Sequence, residues 1–66
     1  MRFDELNDSN YMLFAIKFYN NPQAVTKEDF EDDLKRIRYV KKLLKKYKKD
    51  GDKLWCEYLG DILKMN

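Results

Sequence analysis

FEDDLKRIRYVKKLLKKYKKDG, residues 30 to 51, is the stretch that decides the fold. Phe30, Leu34, Ile37, Val40, Leu44 and Tyr47 follow one another at spacings of 4, 3, 3, 4 and 3, which is one face of a helix. The charges are sorted along it. Glu28, Asp29, Glu31, Asp32 and Asp33 crowd the start, and every charged residue from Lys35 to Lys49 is a base, so both ends complement the helix dipole. Thr26 with Asp29 three positions on resembles a capping box, where Glu or Gln is the usual third member. Gly51 suits the left-handed position just past a helix end. The pattern predicts a helix over about residues 26–49, the longest in the chain.

Two further helices lie outward from it. Asp8 and Ser9 are good N-caps for a helix over about residues 8–20, which Asn20-Asn21-Pro22 would stop. Asp52 can cap a third helix over about residues 53–64. There Leu54, Trp55, Tyr58, Leu59, Ile62 and Leu63 share a face, although Gly60 inside it costs about 1 kcal/mol relative to Ala. Residues 1–7 read as an arm whose Phe3 and Leu6 can fold back onto the bundle. Short connections favour antiparallel neighbours. The fold class is therefore all-α, a single domain over residues 1–66, built as a small three-helix bundle or a helical hairpin plus a short third helix.

Composition narrows the function. Sixty-six residues allow one small core, because a chain of this length buries only about 60% of its unfolded surface. One cysteine makes no intramolecular disulfide framework, and with no histidine a zinc finger or His-based catalysis cannot be assembled. Aromatics at 15% are an efficient filling for such a core. The start MRFDELND carries three acids where a secretory leader would be apolar, and the densest apolar run, Tyr11 to Tyr19, is about half the length of a membrane span. The expectation is a soluble, cytoplasmic protein without a membrane partner. No Gly-rich phosphate loop and no nucleophile beside a base is present, so the chain reads as non-catalytic, with no cofactor and no metal. The acids at 28–33 lack the ligand alternation and glycine of a calcium loop and read as a solvated helix start. Cys56 reads as a small apolar side chain.

Two features bear on binding. Residues 34–49 hold nine Lys or Arg and no acid; of these Lys35, Arg38, Lys42, Lys45, Lys46 and Lys49 fall within an arc of about 100°. This stripe is a solvated helix face, a dock for an acidic protein, or a track for phosphates. Lysine outnumbers arginine seven to two there and net charge is only +2, which disfavours sequence-specific DNA reading. Tyr39 and Leu43 beside the stripe are core residues if a helix packs there and a stacking platform for single strands if none does. The helix over 8–20 is apolar nearly all round, so it is either the central core element or offers Tyr11, Met12, Phe14, Phe18 and Tyr19 to a partner, a second copy included. Three readings stand: a binder of a protein partner, a non-specific nucleic-acid binder, and a structural homo-oligomer.

The stretch FDELNDSNYMLFAIKFYNNPQAVTKEDFEDDLKRIRYVKKLLKKYKKDG, residues 3–51, resembles a family of small uncharacterised proteins of tailed bacteriophages, many of which infect marine bacteria. The resemblance rests on Phe3-Asp4-Glu5-Leu6, on Asn20-Asn21-Pro22-Gln23, and on the block from Phe30 through Arg36 to Leu43-Leu44-Lys45-Lys46-Tyr47. The family pattern continues into longer apolar helices, from which the tail DKLWCEYLGDILKMN departs. The resemblance implies a setting inside an infected bacterium, where small proteins often bind host machinery. It implies no catalytic residues.

Overall fold

A computed structural model describes residues 3, 5 and 7–65. Three helices make the fold: α1 (Asp8–Asn20), α2 (Asp33–Asp50) and α3 (Lys53–Leu63), with 3-10 turns at Pro22–Ala24 and Lys27–Asp29 between α1 and α2. The protein is a small all-α bundle. The expectation for Leu6 falls outside the described residues.

Each helix begins on a short polar side chain that accepts a hydrogen bond from a backbone N–H left unpaired in the first turn. For α1 this is Asn7, whose Oδ1 accepts from the N–H of Asn10 at 2.8 Å, one residue before the caps expected at Asp8 or Ser9. For α3 it is Asp52, accepting from the N–H of Trp55.

The start of α2 corrects the expectation by seven residues. Thr26 and Asp29 do form a capping box, but it closes only one 3-10 turn. Phe30 is then extended, its backbone bridging that of Phe3 in parallel, and α2 begins at Asp33 with Asp32 as its cap, accepting from the N–H of Lys35 at 2.8 Å. The physical reason is tertiary: an extended residue 30 pairs with the N-terminal arm and drops its ring into the core, which outweighs about two more turns of helix. The face of α2 rotates accordingly. The buried residues are Arg36, Tyr39, Val40 and Leu43, whereas Leu34, expected inside, is 70% exposed.

The direction of α2 is a second correction. Contacts with α1 advance in the same sense along both helices: Asp8 meets Lys42, and Phe18 lies 6.1 Å from Tyr47. The two helices therefore run roughly alike, not antiparallel, because the connection at 21–32 carries the chain back before α2 starts. Only α2 and α3 form an antiparallel hairpin. Gly51, at φ 75°, closes it, and the N–H of Asp52 donates to the carbonyl of Tyr47 at 3.0 Å.

Aromatic rings dominate the core. Phe3, Phe14 and Phe30 meet pairwise at centroid distances of 5.2 to 5.5 Å, and Tyr39 closes the group from α2. Phe18, Val25, Val40, Leu43, Leu59 and Ile62 complete it. The arm is pinned by its backbone: the Phe3 N–H donates to the Asp29 carbonyl at 2.6 Å, and the Glu5 carbonyl accepts from the Tyr39 hydroxyl and, at 2.7 Å, from Asn10 Nδ2. Phe3 is fully buried, as an arm folding back requires.

Candidate functional site

The all-round apolar character of α1 resolves into two faces. Phe14 and Phe18 are fully buried, so these two expected partner contacts are corrected: their rings are committed to Phe3, Phe30, Tyr47 and Trp55. The outward face carries Met12, Ile16 and Tyr19, exposed at 60%, 54% and 63%, with Leu13 beside them. Met12, Ile16 and Tyr19 stand at i, i+4 and i+7, which places them in one row along the helix. Ile16 escaped the sequence reading, although that spacing was the signal that could have found it.

This row borders a cleft of about 340 Å³ between α1 and α2. Tyr11, Ala15 and Tyr19 from α1 face Leu43, Lys46 and Tyr47 from α2 across it. Tyr19 stacks on Trp55 at 5.7 Å with 25° between the planes, which braces an otherwise exposed ring on α3. Burial pushes the hydroxyls of Tyr11 and Tyr47 above the usual phenol range, and for Tyr47 the nearby Asp52 carboxylate adds to it. Both are neutral donors at ordinary pH.

Of the basic stripe Lys46 lines this cleft, Arg38 and Lys42 border the neighbouring hollow at Asp8 and Tyr11, and Lys45 lies in a groove towards Leu63 of α3, so its six members are not equivalent. Lys35 pairs with Glu31 one turn back, and that hydrogen bond raises its pKa. Lys42 sits 4.2 Å above the Tyr11 ring and 3.5 Å from Asp8. Arg38, Lys45, Lys46 and Lys49 are exposed, with no ion pair among the described residues. Tyr39 and Leu43 are core residues, 3% and 1% exposed, so the stripe has neither as a stacking platform.

Asp29 departs from the reading of its cluster as solvated. It is 6% exposed, accepts from Lys17 Nζ at 2.7 Å and from the Thr26 N–H at 2.9 Å, and so ties the 3-10 turn to α1. Glu28, Glu31, Asp32 and Asp33 are exposed. Among the described residues no group of acids, Cys or His is placed to hold a metal ion, and no helix is long and apolar enough to cross a membrane. Cys56 is a half-buried free thiol.

No curated protein and no solved structure matches the chain. The matched segment of a family model, residues 1–57, takes in α1, the whole connection, α2 and the first residues of α3, and therefore both walls of the cleft. By that match the chain belongs to the Family of unknown function (DUF7207).

Proposed function

We propose that this is a non-catalytic binding protein that engages a protein partner through the outward face of α1, with the lysines of α2 steering the approach. The observation that carries the reading is the row Met12, Ile16 and Tyr19. Three large side chains are more than half exposed side by side, where ten other hydrophobic residues among those described are buried. Scattered exposed apolar residues need no explanation, but a contiguous row beside a cleft is what an interaction surface requires. The bases of α2 add long-range attraction for an acidic partner and raise the association rate more than the final affinity. The resemblance to small phage proteins supports a setting in the cytoplasm of an infected bacterium, where a host or phage protein would be the partner.

The test compares tagged wild-type protein with a Met12→Ser/Ile16→Ser variant as bait in bacterial lysate. Both positions are exposed, so the variant keeps its thermal melt. A protein held by the wild type and lost with the variant supports the reading; identical captures by the two baits reject it. A labelled DNA or RNA oligonucleotide, titrated across about 50 to 200 mM salt, decides against the alternative: a protein binder shows no affinity that collapses with salt, whereas a phosphate tracker does.

A further inference from the structure

We infer that the α1–α2 cleft is a seat for an acidic amphipathic helix of another protein, a proposal that rests on the protein-binding reading and names the partner's chemistry. The occupant is a helix because of the shape of the seat. The cleft lies between two helices that run roughly alike, and its α1 edge is a row at i, i+4 and i+7, the register in which the ridges of a third helix interdigitate. A helix also brings its backbone hydrogen bonds already made, so it can cover Met12, Ala15 and Ile16 without stranding polar groups. Tyr11, Tyr19, Tyr47 and Asn20 among the lining residues carry the hydroxyls and the amide that can serve its polar groups.

The charge around the cleft selects the sign of that helix. Lys46 lines it, Lys42 stands at the Tyr11 end, and Lys49 follows Lys46 along α2. Among the described residues carboxylates stand at its two ends: Asp8, already against Lys42, and Asp50 with Asp52 near Tyr47. Among the described residues no acid lines the cleft. A second copy of this chain docked through the same face about a two-fold axis would bring Lys42, Lys46 and Lys49 of both copies together, and like charges there oppose closure. A row of Glu or Asp on one flank of an apolar helix meets those bases instead. The length of α1, 13 residues, sets the contact at about 20 Å, or three to four turns of the incoming helix.

The experiment uses the full chain and a fluorescent peptide of about 14 residues with Leu at i, i+3, i+4 and i+7 and Glu on the flanks. Two controls share its Leu pattern or its composition: one with Lys replacing every Glu, and one scrambled so that the Leu row is lost. Anisotropy is expected to show binding by the Glu peptide in the range of about 10 to 100 μM, and binding about tenfold or more weaker by both controls. Ile16→Ser is expected to weaken the Glu peptide by about tenfold, and Lys46→Glu to weaken it while improving the Lys peptide. Both sites are exposed, and an unchanged melting curve confirms the fold. Equal binding of the Glu and Lys peptides overturns the proposal, as does indifference to Ile16→Ser. If no peptide binds and sedimentation shows a dimer that Met12→Ser/Ile16→Ser dissociates, the acidic-helix proposal falls while the face remains a protein contact. If no peptide binds, no dimer forms and the oligonucleotide binds with steep salt dependence, both readings fall.

Discussion

Replacing Arg36 by Met should make this protein more stable. The guanidinium is 4% exposed, yet its Nε and Nη1 are buried without a hydrogen-bond partner, and Nη2 reaches only Asp33 Oδ1 at 3.6 Å. Asp33 is itself 77% exposed, so that pair is screened and worth about 0 to 1 kcal/mol. Each buried donor left unpaired costs about 1 to 3 kcal/mol, so the two together hold about 2 to 6 kcal/mol against the fold. Methionine is long, flexible and uncharged, and can occupy the same space. Subtracting the lost Asp33 pair and about 1 kcal/mol for imperfect repacking leaves a net gain of about 0 to 5 kcal/mol. In a domain of this size each kcal/mol moves the melting temperature by about 4 to 8 °C. Urea unfolding followed by circular dichroism should show a higher midpoint with an unchanged slope. Arg36→Ala separates the contributions, since it removes the charge but leaves a cavity and should gain less than Met. A loss of more than about 1 kcal/mol in Arg36→Met would refute the reasoning, because the guanidinium would then have to be compensated in the folded chain.

Phe3→Ala should cost about 3 to 5 kcal/mol, a large share of the roughly 3 to 10 kcal/mol expected for a chain this long, and urea titration showing under about 1 kcal/mol would detach the arm from the core. The two glycines should respond with opposite signs. Gly51→Ala forces a side chain into φ 75° and should lose about 1 kcal/mol; Gly60→Ala, in α3 with nothing within 4 Å of the added methyl, should gain about 0.5 to 1 kcal/mol, both read as melting shifts. Alkaline pH should unfold the protein. Burial raises Tyr11, Tyr39 and Tyr47 above 10.0, so their contribution is complete below pH 10 and is lost as pH rises through the raised folded values. Tyrosinate absorbance should lag behind that of free tyrosine and rise together with loss of ellipticity; full ionisation near 10 with native ellipticity would contradict it.

The helices were legible where local chemistry and tertiary packing agree. Asp52 as a cap and Gly51 in the left-handed position appear where the residue types require them, and the arm's Phe3 is in the core. Legibility failed at residues 26–34, where a good local signal was overruled by a distant contact. Thr26 and Asp29 make the reciprocal hydrogen bonds of a helix start, but Phe3, more than twenty positions away in sequence, claims Phe30 for an extended pair. No periodicity within α2 encodes that event, and with it the identity of the buried face changed from Leu34 to Arg36. The candidate site was half legible for a related reason. An apolar helix can be recognised from sequence, but which of its residues face inward depends on where α2 and the arm lie. Phe14 and Phe18 therefore stood beside Met12 and Tyr19 as equals until the packing divided them.

That division makes stability and binding separable in α1, even though both draw on the same apolar run. The inner rings fix α1 to the arm, α2 and α3, so truncating Phe14 or Phe18 should cost stability on the scale of Phe3→Ala and says nothing about a partner. The outer row keeps more than half of each side chain in water, so polar substitution at Met12 or Ile16 removes little packing and leaves folding nearly unchanged. The reason for the surplus is geometric. α2 and α3 form a hairpin, and among aromatic contacts α3 reaches α1 at Phe18 and Tyr19 through Trp55. Two helices leave about half the circumference of a third uncovered. A chain with no use for that uncovered half could carry Glu or Lys at positions 12, 16 and 19 without loss to the core. Methionine, isoleucine and tyrosine there stand beside a cleft whose charged lining residue, among the described residues, is Lys46. On the proposed reading Met12 and Ile16 serve a contact outside the chain, while Tyr19 also stacks on Trp55 within it.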